Sequence, residues 1–265
     1  MALWHIIALA IVQGLTEFLP VSSSGHLILF SHLTNLKDQG VGIDVALHIG
    51  SLIAVVIYFR REMMEMIREL LSAKLKPDFS KPYNRLAYLL IMASIPALIV
   101  GFCLRNFGME FLRQPKIIGC TILFYGLVLY FADRFFNSRR DLRDMNIKDA
   151  ILIGLAQCLA LVPGTSRSGI TITMGRFLKI SRVDAAKFSM MLSIPVIAAA
   201  GCLEGYRLFA QGNISEILAA ADAVFYSFIA SYIVIYLIMK WLQKWTYLPF
   251  VIYRVILGVL ILTFA

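Results

Sequence analysis

The stretch Gln13-Gly-Leu-Thr-Glu-Phe-Leu-Pro-Val-Ser-Ser-Ser-Gly-His26 sets a carboxylate, three consecutive hydroxyls and an imidazole inside an otherwise apolar N-terminus. Gln13 and Glu17 are four residues apart, so a helix presents both on one face. A carboxylate there serves as a general base or, with the neighbouring amide, holds a divalent cation. Pro20 ends that helix, and Ser22, Ser23, Ser24 and Gly25 form the turn that opens the next. Three hydroxyls in a row, one turn beyond a carboxylate, exceed what capping a helix needs and point to catalysis or ligand binding.

A second constellation, Pro163-Gly-Thr-Ser-Arg-Ser-Gly-Ile-Thr171, suits an anion. Gly164, Thr165 and the other small residues let backbone approach a ligand, and the helix that follows offers unpaired N–H groups and its positive end. Arg167 adds a planar bidentate donor, and Ser166, Ser168 and Thr171 add hydroxyls. Arg254, inside Leu248-Pro-Phe-Val-Ile-Tyr-Arg254, needs a partner, either Glu17 or the same anion. A hydroxyl nucleophile, an adjacent base and positive groups for developing charge are the parts of phosphoryl transfer.

These groups lie in a chain built for lipid. Of its 265 residues 60% are hydrophobic and 15% charged, with mean hydropathy +0.79, against about half and a quarter in soluble domains. Six segments read as full spans: 44–60, 86–104, 116–134, 185–204, 218–240 and 247–265. Regions 2–33 and 149–180 differ: each is an apolar arm running into a Pro/Ser/Gly cluster and a second short arm. Arms of about 10–15 residues are too short to cross and suit a re-entrant pair. Irregular backbone at membrane depth must be covered by protein or line a wet cavity, so both polar clusters are expected in such a place. A substrate with a lipid tail and a phosphate head would meet them there. The N-terminus has no basic region or cleavage site and is not expected to be a signal peptide.

The two regions resemble each other. Gly14-Leu-Thr-Glu-Phe-Leu19 matches Gly154-Leu-Ala-Gln-Cys-Leu159, Ser22-Ser-Ser-Gly25 matches Ser166-Arg-Ser-Gly169, and Asp44 and Asp184 each open the next span. The expected architecture is an all-α polytopic membrane protein, one domain over 1–265, with six transmembrane helices and two re-entrant pairs. It divides into an inverted repeat of 1–135 and 136–265, an arrangement that places a site at the midplane. The net charge of +9 belongs to orientation and not to nucleic acid. Loops 60–86, 134–148, 176–182 and 240–247 carry 17 Lys/Arg, against five on the other face (Lys37, Arg105, Arg113, Lys116, Arg207). The positive-inside rule then puts the basic loops in the cytoplasm and the first cluster opening outward. Intramembrane ionisable groups are functional candidates by default. Here Asp44 and Asp184 suit helix caps, His48 a structural role, and the four cysteines small buried packing.

Both motifs resemble the signature motifs of the bacterial undecaprenyl-diphosphate phosphatase family of the bacitracin-resistance type. Further likeness lies in Ser193-Ile-Pro195 and Leu248–Arg254, so the resemblance covers essentially the whole chain. It implies hydrolysis of undecaprenyl diphosphate to the monophosphate carrier lipid and inorganic phosphate, recycling the carrier for peptidoglycan. It also implies a divalent cation, Mg²⁺ or Ca²⁺, held by Glu17 and Gln13, and a multi-pass place in the bacterial plasma membrane among its lipids. Ser23 would be the nucleophile, Glu17 the base, and His26 a proton relay or rival nucleophile. Arg167, Ser166 and Thr171 would bind the diphosphate, with Arg254, Ser22, Ser24, Gly164, Thr165 and Ser168 assisting. A homodimer is compatible with this reading. The runner-up function is a lipid-phosphate flippase or anion transporter, because paired re-entrant loops are also transporter architecture. A scaffold would leave Glu17, Arg167 and Arg254 unexplained.

Overall fold

The computed structural model describes residues 3–34, 40–104, 110–211 and 214–264. Eleven α-helices make up most of them: α1 Leu3–Thr16, α2 Ser23–Thr34, α3 Val41–Tyr58, α4 Arg60–Ser72, α5 Pro82–Leu104, α6 Pro115–Phe135, α7 Ile147–Cys158, α8 Arg167–Phe177, α9 Arg182–Gln211, α10 Ile214–Leu242 and α11 Leu248–Phe264. Helices α3, α5, α6, α9 and α10 are long and apolar enough to cross a bilayer, and α11, at 17 residues, is just short of that length. The chain is an all-helical, multi-pass membrane protein.

The breaks fall where the chemistry requires. The run α1 ends at Thr16 before Pro20, and α7 gives way at Cys158 before Pro163, so each apolar region is two short helices joined by an irregular turn. The following helices, α2 and α8, open in the same way. Ser22 and Ser166, the residues just before them, have φ of 77° and 73°, a region that non-glycine residues enter at a cost and mostly at functional sites. The Ser166 hydroxyl accepts the N–H of Gly169 at 3.0 Å, and the Ser22 hydroxyl that of Gly25 at 3.4 Å. Gly164, in the second turn, has φ 88°, and a Cβ there would lie 2.1 Å from Thr121 Oγ1.

The packing is reciprocal. Gly14 of α1 lies against Ala230 and Ser231 of α10, and Gly154 of α7 lies against Ala93 of α5. A Cβ would be 2.4 Å from Ala230 at the first and 2.5 Å from the Ala93 carbonyl at the second. Helix α3 joins α10 through buried Ser51, which bonds both Ser227 (3.2 Å) and Ser231 (2.9 Å). Helix α6 packs along α11 and against α8.

The four basic loops gather at one end. Lys187 pairs with Glu62 at 2.7 Å, Arg85 donates to the carbonyls of Arg143 and Met145, and Arg140 bridges to Ile180. A buried knot closes this end: Asp133 accepts from Arg176 (3.0 Å) and Arg182 (2.7 Å), and Tyr247 donates its phenol to the Arg182 carbonyl. Asp133 and Arg176 were not foreseen as buried ionic groups, because each sits at the end of a segment where a solvated charge is the ordinary reading. On the opposite face, Lys37 and Arg105 lie outside the described residues. Two local expectations are corrected. Asp184 is not the cap of α9 but the third helical residue, bonded to the capping Ser181. Cys103, Cys120 and Cys202 are exposed, facing outward instead of packing inside.

Candidate active site

Glu17 is the hub. It continues the helical turn of α1, with its N–H on the Gln13 carbonyl at 2.9 Å, and its side chain is 95% buried. One carboxylate oxygen, Oε1, accepts from Arg167 Nη2 at 2.9 Å. The other, Oε2, accepts from Ser23 Oγ at 2.7 Å and Gln13 Nε2 at 3.0 Å, with His48 Nε2 at 3.4 Å. A single carboxylate thus gathers groups from α1, α2, α3 and α8. Ser23 and Arg167 are the first residues of α2 and α8. The equivalent positions of the two similar turns therefore deliver a hydroxyl and a guanidinium to opposite oxygens of one acid.

Arg167 is aimed from behind. Its Nη1 donates to the Ser189 carbonyl of α9 at 2.9 Å, and Thr171 Oγ1 meets Ser189 Oγ at 2.7 Å. Ser189 carried no signal in the sequence, since an isolated serine in an apolar span resembles many others. The sequence suggests a structural role for His48, whereas in the fold its imidazole faces Glu17. His26 turns elsewhere: its Nδ1 donates to the Ser22 carbonyl at 2.7 Å, and its Nε2 accepts from the Tyr253 hydroxyl at 2.6 Å, the two rings stacked.

Several residues expected to touch substrate are committed to the scaffold instead. Ser168 Oγ donates to the Leu19 carbonyl at 2.9 Å, and Thr171 Oγ1 to that of Arg167 at 2.8 Å, while Ser166 caps α8. Gly164 and Thr165 are buried, and Ser22 is 1% exposed. Arg254 has neither Glu17 nor an open anion site as its partner. Fully buried, it donates to the carbonyls of Ile122 (2.9 Å), Pro20 (3.0 Å), Gly164 (3.1 Å) and Thr165 (3.2 Å). It ties the first turn, the second turn and α6 together. The groups that remain accessible are Ser23, Ser24, His26, His48 and the edge of Arg167.

A cation fits this donor set. Among the described residues the buried Gln13 Oε1 has no hydrogen-bond partner, its amide meets the Glu17 carboxylate through Nε2, and Mg²⁺ is characteristically bound by one or two carboxylates together with waters and substrate phosphates. Chemically, the arrangement offers a hydroxyl on a carboxylate base, a guanidinium for a phosphoryl group and oxygen donors for a metal.

Residues 6–260 match the family described as bacitracin resistance protein BacA. The chain is 45% identical over 258 residues to an undecaprenyl-diphosphatase of Chromohalobacter salexigens, covering 97% of each chain. It is 44% identical to one of Jannaschia sp. and 45% identical to one of Roseobacter denitrificans, in both cases over 100% of this chain and 99% of the relative.

Proposed function

The chain belongs to the bacitracin resistance protein BacA family and is an undecaprenyl-diphosphatase, and we propose that it cleaves the terminal phosphate at Glu17, Ser23 and Arg167. The observation that carries this is the shared carboxylate: Ser23 Oγ on one oxygen at 2.7 Å and Arg167 on the other at 2.9 Å. In the resting site the guanidinium restrains the base. An arriving diphosphate competes for Arg167, which can chelate two phosphate oxygens in a way a point charge cannot. Glu17, freed on that side, takes the Ser23 proton as Oγ attacks the terminal phosphorus. The bond from phosphorus to the bridging oxygen breaks, the polyprenyl monophosphate leaves, and water then releases inorganic phosphate from the serine. Glu17 and the Gln13 carbonyl would hold a divalent cation, Mg²⁺ or Ca²⁺, which neutralises diphosphate charge when bound.

The product is the carrier lipid of peptidoglycan synthesis, and its recovery accounts for the family's link to bacitracin resistance. The gathered basic end is placed in the cytoplasm of a bacterial plasma membrane by the positive-inside rule, with the site opening to the other side. Transport is the second reading, favoured by the reciprocal seating of α1 on α10 and α7 on α5. Against it, the second turn has Gln157 where the first has Glu17, and Arg167 where the first has Ser23, so the machinery is one-sided.

The test is phosphate release from undecaprenyl diphosphate by purified protein, with and without EDTA, beside Ser23→Ala. Release that requires both metal and Ser23 supports the scheme. Release that survives Ser23→Ala moves the nucleophile to His26 or a metal-bound water. Absence of release from folded protein, together with lipid translocation in liposomes, would replace hydrolysis with transport.

A further inference from the structure

We propose that His48 is itself a ligand of the divalent cation, forming with Glu17 and the Gln13 side-chain carbonyl a three-donor site between α1 and α3. This rests on the reading above that a cation binds at Glu17, and it deepens that reading by naming a donor of a different chemical kind.

The argument begins with the tautomer. His48 Nδ1 lies 2.7 Å from the carbonyl of Asp44, one turn earlier on α3. A carbonyl only accepts, so Nδ1 carries a proton, and in the neutral ring the lone pair lies at Nε2. That lone pair points at Glu17 Oε2, 3.4 Å away. Two electron-rich atoms facing each other at this range call for something positive between or beside them. Beside the carboxylate is the buried Gln13 amide, whose Nε2 is 3.0 Å from the same oxygen and whose Oε1 has no hydrogen-bond partner among the described residues. Imidazole and amide therefore meet the carboxylate at one oxygen, a half-turn of the Gln13 amide would exchange its nitrogen for its oxygen there, and the imidazole is fixed from behind by a carbonyl, as metal-binding histidines usually are.

Access agrees. The Glu17 side chain is 5% exposed and Gln13 is fully buried, whereas the His48 side chain is 29% exposed. Of the three proposed donors, the imidazole is the one most open to the outside. His26, the other imidazole near the first turn, is taken by Tyr253 and Ser22. A nitrogen donor also shifts preference from Ca²⁺ toward smaller, softer divalent ions.

The experiment uses untagged full-length protein and Mn²⁺ as the probe, alone and with inorganic phosphate, read by pulsed EPR. The expected result is bound Mn²⁺ with a directly coordinated ¹⁴N, retained in His26→Ala. In His48→Gln the coupling vanishes, and in His48→Leu Mn²⁺ affinity falls by about 10- to 100-fold, the scale on which partners of metal sites act. Mn²⁺ binding that depends on Glu17 but shows no nitrogen coupling would overturn the ligand role of His48 while sparing the cation reading; the imidazole would then be a protonated partner of Glu17. Failure of Mn²⁺ to bind under either condition would overturn both.

Discussion

At the scale of single residues, the site divides into groups that do chemistry and groups that hold them. Ser23→Ala should lower phosphate release by about three orders of magnitude or more, as removal of a nucleophile does. Ser24→Ala should cost far less, because among the described residues its hydroxyl meets only Ser22, at 3.5 Å. Equal losses in a turnover assay would reduce both serines to capping. Arg167→Lys should also fail largely: an ammonium cannot reach Glu17 and the Ser189 carbonyl at once as the planar fork does. Near-normal turnover would remove the phosphate clamp. Arg254 behaves differently. Its loss strands a set of buried carbonyls, each costing about 1–3 kcal/mol when left without a donor. Arg254→Met should therefore lower the melting temperature in detergent sharply, and a variant as stable as wild type with a raised KM would return Arg254 to the substrate. The sequence made Glu17, Ser23 and Arg167 legible because acids, hydroxyl runs and arginines are rare in apolar surroundings. It could not show that Arg254 serves carbonyls, since backbone partners leave no trace in residue types. His48 was hidden for another reason: its proximity to Glu17 exists only through the packing of α1 beside α3.

At the scale of elements, the broken helices were the clearest signal. Pro20 and Pro163 cannot continue a helix, and the Ser/Gly clusters after them mark the restarts at Ser23 and Arg167. In the sequence the charges of α4 place it with the basic loops. Its apolar residues nevertheless recur at helical spacing: Met63, Met66 and Leu70 pack inward while Met64, Ile67 and Leu71 face out. What seats the short helices is close approach, and that yields a sharp expectation. Gly14→Ala would drive a methyl to 2.4 Å from Ala230 and 2.8 Å from the Ser231 nitrogen. Overpacking of this kind costs about 1–3 kcal/mol, and because Gly14 is one turn before Glu17, the carboxylate should move with the helix. Activity should fall together with melting temperature. Gly154→Ala meets a comparable clash at the Ala93 carbonyl, but it displaces α7, which holds Gln157 in place of the catalytic acid. It should lower the melting temperature as much while depressing activity less. Equal activity losses would mean that the two arms contribute alike to the site.

At the scale of the whole molecule, two similar turns have unlike fates. Ser22 and Ser166 share a strained backbone, and each accepts from a glycine three residues on. Even so, only the first turn keeps the acid and the hydroxyl; the second lends an arginine. The inverted repeat expected from the sequence would produce this geometry: turns entering from opposite faces would meet tip to tip on one carboxylate, with α1 on α10 matching α7 on α5. The asymmetry makes the orientation testable. In a variant freed of its four cysteines, Arg68→Cys places a thiol on the basic end, in α4, where the native side chain is 79% exposed. Ser24→Cys places one at the exposed edge of the site. A membrane-impermeant maleimide should label position 24 in intact spheroplasts and position 68 only in inverted vesicles. Labelling of both from the cytoplasmic side would open the site to the basic face. The substrate's phosphates would then have to be met inside the cell, and the carrier would be released in the leaflet where it is next loaded. Labelling from opposite sides would place hydrolysis outside instead, so that the monophosphate must return across the bilayer before reuse.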